Sequence, residues 1–149
     1  MRAIDAAMLE RLHDGVRRSV TFRHIVLALE QSNVIVYVTP GVCDSGRIAG
    51  CLLRFVRLSE KSRYLRIVVS EGFSDERIIS IVGHELTHAR EVAEAATVID
   101  GVSMLALFRR TGMRQCPGVR SECYETQAAI DAEDAILREL GKLHQFFRP

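Results

Sequence analysis

The chain has 149 residues, 48% hydrophobic and 26% charged, the composition of a folded globular chain of about one domain's length. Lys and Arg number 20 and Asp and Glu 19, a formal net charge of +1, so the basic excess of a dedicated nucleic-acid binder is missing. No apolar run approaches the roughly 20 residues that span a bilayer, and the charged start MRAIDAAMLERLHDGVRRSV is no secretory signal, which predicts a cytoplasmic protein unless a leader precedes it.

Apolar residues Ala6, Met8, Leu9, Leu12 and Val16 recur at helical spacing over residues 3–18, and Phe22, Ile25, Val26 and Leu29 do so from Thr21 to Gln31. The β-branched and aromatic run at 34–38, stopped by Pro40 and Gly41, reads as a strand. Two more strand-like runs follow, from about Arg47 to Leu58 and from Tyr64 to Ser70. The short polar stretch 59–62 between them suits a hairpin. After Gly72 the period changes. Ser74 is placed to cap a helix whose first turn carries Asp75 and Glu76, and the spacing predicts one long helix to about Ile99. A short helix from Val102 to Arg110 ends at Gly112, and a final helix runs from about Ser121 to Leu140, stopped by Gly141. This order implies an α+β fold, a single domain over 1–149 in which a three-stranded sheet packs against the long helix and further helices. The four cysteines form no C-x-x-C pair. Cys116 and Cys123 flank a Pro–Gly turn and could be bridged or stay as buried thiols.

The long helix contains His84-Glu85-Leu86-Thr87-His88, an H-E-x-x-H pattern. Residues four apart on a helix lie about 40° apart around its axis, one turn along, so two imidazoles can converge on one metal ion. Glu85 is displaced around the helix and is placed to reach a water on that metal. With 5 histidines in the chain, composition alone produces such a pattern about one time in a hundred. Ile79, Ile81, Val82 and Leu86 surround the motif with apolar residues, where unpartnered imidazoles would be costly and a metal removes the cost.

A catalytic zinc site usually has a third protein ligand. Glu91 lies a turn past His88 and suits a supporting or salt-bridge role. The longer motif H-E-x-x-H-x-x-G-x-x-H is absent, because Glu91 and Glu94 stand at its Gly and His positions. On the final helix, Glu125 heads an apolar stripe of Ala129, Ala132, Ile136 and Leu140, and Glu122 one turn earlier is its rival. Asp131, Glu133 and Asp134 read as a solvated face. Tyr124 and Arg90 stand near enough in sequence to be considered for stabilising an oxyanion.

The HExxH helix followed by a downstream glutamate resembles the gluzincin branch of the zincin metallopeptidases. The stretch from Val34 to Leu140 is also similar to small uncharacterised bacterial proteins, in which a strand pair precedes the motif and a Tyr–Glu–Thr segment, here Tyr124-Glu125-Thr126, opens the last helix. The resemblance implies a zinc ion on His84, His88 and Glu125, Glu85 as catalytic base, and hydrolysis of a peptide or protein substrate. It also implies an Asp four residues after the glutamate ligand, bracing a histidine, where this chain has Ala129. The alternative function is a non-hydrolytic zinc-binding regulatory or interaction module. For a peptidase, the substrate could add as a strand to an exposed edge such as Tyr64–Ser70.

Overall fold

Two parallel strands, Val34–Pro40 (β2) and Arg63–Val69 (β5), carry the fold, and their alternation decides which side of the sheet is dry. Val34, Val36 and Val38 face the core with Leu65, Ile67 and Val69, while Tyr37, Tyr64 and Arg66 point the other way. The computed structural model describes residues 1–3, 5–43, 48–114 and 123–146, the last five of these by backbone alone. The remaining elements are β1 (Arg2–Ala3), α1 (Ala6–Arg18), α2 (Val20–Glu30), β3 (Gly50–Leu52), β4 (Arg57–Leu58), α3 (Asp75–Glu94), α4 (Gly101–Thr111), β6 (Met113–Arg114), β7 (Tyr124–Glu125) and α5 (Gln127–Phe146).

This is a small α+β fold with a mixed sheet packed against several helices. The sheet has five strands rather than the three expected from sequence, in the order β1-β2-β5-β3 with β4 also pairing β5. The extra strands are two- and three-residue pieces too short to show a period. Ala3, at the start of the helix expected over 3–18, lies in β1, because Asp5 accepts from the Met8 backbone N–H and caps α1 there. The expected strand to Leu58 breaks between β3 and β4, where the Arg54 carbonyl packs so closely on Gly101 that a Cβ there would lie 2.4 Å from it. The hairpin across 59–62 forms, with Leu58 opposite Arg63. β5 is paired on both sides, by β2 and by β3 and β4, so it cannot accept an added strand; β3 is an edge of this sheet.

The α3 helix starts as expected, with Ser74 accepting from the Arg77 N–H and Asp75 and Glu76 in the first turn. It ends at Glu94, short of Ile99, for a specific reason. The buried Arg63 guanidinium donates to the carbonyls of Val92, Ala93, Ala95 and Val98 and to the Asn33 side chain, at 2.9–3.1 Å. The Val92 and Ala93 carbonyls belong to the last turn, the negative end of the helix, and those of Ala95 and Val98 follow it, so a buried cation is met there without a carboxylate. The final helix also differs. Thr126 accepts from the Ala129 N–H and starts α5, which runs through Gly141. Glu125 therefore stands just before the helix, in β7, paired with Met113. The stripe of Ala129, Ala132, Ile136 and Leu140 is buried as expected. Cys43 and Cys51 are joined by a disulfide that the sequence did not announce. Cys116 and Glu122 lie outside the described residues. Among the described residues no helix is long and apolar enough to cross a membrane.

Candidate metal centre

From Ile78 to Ala89 every residue of α3 is buried, so the helix carries its polar groups through the middle of the molecule. Two glycines set how closely its neighbours approach. A Cβ on Gly83 would lie 2.2 Å from Ile136 Cδ1, and one on Gly50 would lie 2.4 Å from Ile81 Cγ2. The first lets α5 cross α3 beside His84, and the second brings the edge strand β3 down onto the same helix. Gly112 does similar work below β7, where a Cβ would be 3.1 Å from the Glu125 carbonyl oxygen.

His84, His88 and Glu125 are brought together, each offering a donor atom within 4.8 Å of the others. One carboxylate oxygen, Glu125 Oε2, lies 2.6 Å from His84 Nε2 and 3.3 Å from His88 Nε2. The other ring nitrogens turn away toward separate carboxylates. His88 Nδ1 hydrogen-bonds Glu91 at 2.9 Å, the supporting contact expected of that residue. His84 Nδ1 lies 2.9 Å from Glu133, a charge contact out of line for a good hydrogen bond, and the other Glu133 oxygen pairs with Arg77. Glu133 was read as solvated, and the structure corrects this. It falls four residues after Ala129 and three before Ile136, so it lies at the half-buried margin of that stripe, within reach of His84.

Charges follow from this packing. At His84, burial opposes the cation, but hydrogen bonding to Glu125 and contact with Glu133, with the nearby charge of Glu85, raise the imidazole to about 10. At His88, burial again opposes, and Glu125, Glu91 and Glu85 raise it to about 9. Burial works against the Glu125 anion, yet the two imidazoles hold it down to about 2. Glu133 is lowered, chiefly by His84, with Arg77 helping. The cluster thus holds protons on imidazoles whose Nε2 atoms face one carboxylate, a donor set that could coordinate a divalent metal in their place.

Glu85 is buried beside the pair, and burial raises its carboxyl against the lowering pull of His88 and His84. Its Oε2 accepts the backbone N–H of Leu52 in β3 at 2.7 Å. No side-chain pattern could have revealed that backbone partner. A cleft of about 280 Å³ opens over the cluster, lined among others by Gly50, Leu52, Arg54, Glu85, His88 and Glu125. Tyr124 also lines it, whereas Arg90 pairs with Glu94 at 3.5 Å and does not. His88 rests edge-on against Phe108, ring centroids 5.1 Å apart. No protein-family model, curated protein or solved structure matches this chain.

Proposed function

We propose that the protein is a zinc-dependent peptidase of the gluzincin kind, with His84, His88 and Glu125 as metal ligands and Glu85 as general base. The observation that carries the reading is the orientation of the two imidazoles: both Nε2 atoms face one Glu125 oxygen, and each Nδ1 faces its own carboxylate. A carboxylate at Nδ1 keeps the proton on that nitrogen and leaves the Nε2 lone pair for a metal. Two nitrogens and one carboxylate, with a cleft on the open side, match the donor set of a catalytic rather than a closed structural zinc site. When bound, the ion supplies Lewis acidity and a water acidified toward neutrality.

The chain's own residues supply the remaining steps. A buried carboxylate with a raised pKa is suited to take a proton from that water and hand it to the leaving amine. Leu52 N–H holds Glu85 in place through one oxygen, and β3, at the end of the sheet order beside it, is the edge along which an extended peptide would lie. Tyr124 is the nearby side chain on the cleft wall that could face the oxyanion.

The same Leu52 contact favours a second reading, a zinc-binding module without hydrolysis, because it gives Glu85 a task in holding β3 that needs no chemistry. Glu85→Gln separates the two, since glutamine keeps an acceptor for Leu52 N–H but cannot act as base. On the peptidase reading, the variant keeps its zinc by elemental analysis and loses about 100-fold or more in hydrolysis of an unfolded protein substrate. Equal hydrolysis by both proteins, or wild type purified with zinc and inert toward peptides, overturns it.

A further inference from the structure

The face of the sheet opposite the core, free of helices among the described residues, carries a second cleft of about 680 Å³ lined by Tyr37, Phe55, Arg57, Tyr64 and Arg66. Strand register builds it as two cross-strand rows. Arg2 lies beside Tyr37 and Tyr37 beside Arg66; in the next row Ile35 lies beside Tyr64 and Tyr64 beside Arg57. The rings of Tyr37 and Tyr64 stack at 6.4 Å, and Phe55 stands over the rim with 62% of its surface exposed. No carboxylate lines the cleft. Arg11, Arg17, Arg18, Arg77 and Arg90 all have acidic partners, and Arg63 has its carbonyls. Among the described residues, Arg57 and Arg66 have neither an ion pair nor a side-chain hydrogen bond.

Two unpartnered guanidinium groups flanking stacked tyrosines and an exposed phenylalanine, in a chain of nearly balanced charge, leave unmet demand for an anionic and partly aromatic ligand. Leu53 lines this cleft and the one above the metal ligands, so a single extended chain can run from one to the other. We infer that the open sheet face is a docking site for an acidic, aromatic-containing peptide segment of the substrate, with carboxylates on Arg57 and Arg66 and an aromatic side chain against Phe55 and Tyr64. The choice of a peptide over other polyanions rests on the peptidase reading. Three arginines in two short rows also give no continuous track for a phosphate backbone.

The test is a binding measurement in chelator, so that it does not depend on metal or turnover. A fluorescein-labelled short peptide of alternating glutamate and phenylalanine is titrated by fluorescence polarisation with wild type, Arg57→Ala/Arg66→Ala and Phe55→Ala. Expected are saturable binding that weakens with salt, a loss of about tenfold or more in the double arginine variant, and a smaller loss in Phe55→Ala. Equal affinity for wild type and the double variant overturns the proposal. So does tighter binding of labelled oligothymidylate, or of the same peptide with lysine for glutamate. Circular dichroism of the variants guards against misfolding; should the double variant misfold, Arg66→Gln alone is expected to lose about threefold, and no loss there is equally decisive. Hydrolysis assays with zinc, run separately, show whether the peptidase reading fails on its own.

Discussion

Replacing Glu133 by glutamine removes a negative charge 2.9 Å from His84 Nδ1 while keeping the length of the side chain and an acceptor for Arg77. Loss of an outer carboxylate from a metal-binding histidine weakens metal binding about 10- to 100-fold, roughly 1.4–2.7 kcal/mol. Two features put Glu133 at the lower end. Its contact with the ring nitrogen is poorly aligned, and its charge is shared with Arg77. The expected loss for Glu133→Gln is therefore about tenfold in zinc affinity. Glu91→Gln leaves a neutral acceptor in the aligned 2.9 Å bond to His88 but removes its charge, and should lose more than Glu133→Gln, above about tenfold. Asp131, exposed on α5 and paired only with Gln127, is the control, and Asp131→Asn should leave affinity unchanged. Competition for zinc against a chromophoric chelator at fixed pH measures all three. If Glu133→Gln binds zinc as tightly as Asp131→Asn, the carboxylate does not hold the His84 tautomer and the argument is wrong.

Two further expectations follow from the same geometry. In the metal-free protein, His84 and His88 are raised from 6.5 to about 10 and about 9, so their contribution to stability is full below pH 6.5 and is lost as pH rises through those values. Glu125, lowered from 4.5 to about 2, contributes fully above pH 4.5 and loses its share as pH falls, while the raised Glu85 acts in the same direction as the imidazoles. The melting temperature of chelator-treated protein should thus peak between about pH 4.5 and 6.5 and fall toward pH 10, with the gain from added zinc growing over that fall; a metal-free Tm that climbs from pH 6.5 to 9 contradicts this. Arg63→Met leaves buried carbonyls at the end of α3 without their donor and should destabilise by about 3 kcal/mol, lowering Tm by roughly 10 °C. A Tm within about 2 °C of wild type would show that solvent or a shifted backbone replaces those bonds.

What could be read from the sequence was what repeats along it. The long strands and helices showed through their periods, and the paired histidines through their helical spacing, because His84, Glu85 and His88 belong to one element. Glu125 was reached by its place at the head of an apolar stripe, although the helix proved to start after it, at Thr126. Glu133 was missed because acidic neighbours at 131 and 134 made the segment look uniformly wet, when its offset from Ala129 and Ile136 placed it at the half-buried edge of the stripe. The short strands, the Cys43–Cys51 bridge and the hold of Leu52 on Glu85 depend on partners brought by tertiary packing, which no local pattern encodes.

The close passage of α5 across Gly83 has a consequence for how the protein keeps its shape. On the proposed ligand set, an ion at residues 84, 88 and 125 would tie the start of the last helix to α3 beside that crossing, and would close a long loop of chain as a covalent staple does. On that reading, metal occupancy is a gauge of core integrity. A bulkier residue at 83 or a truncated Ile136 should release the ion before it unfolds the chain, and a saturating supply of the ion should rescue variants whose helices have drifted apart.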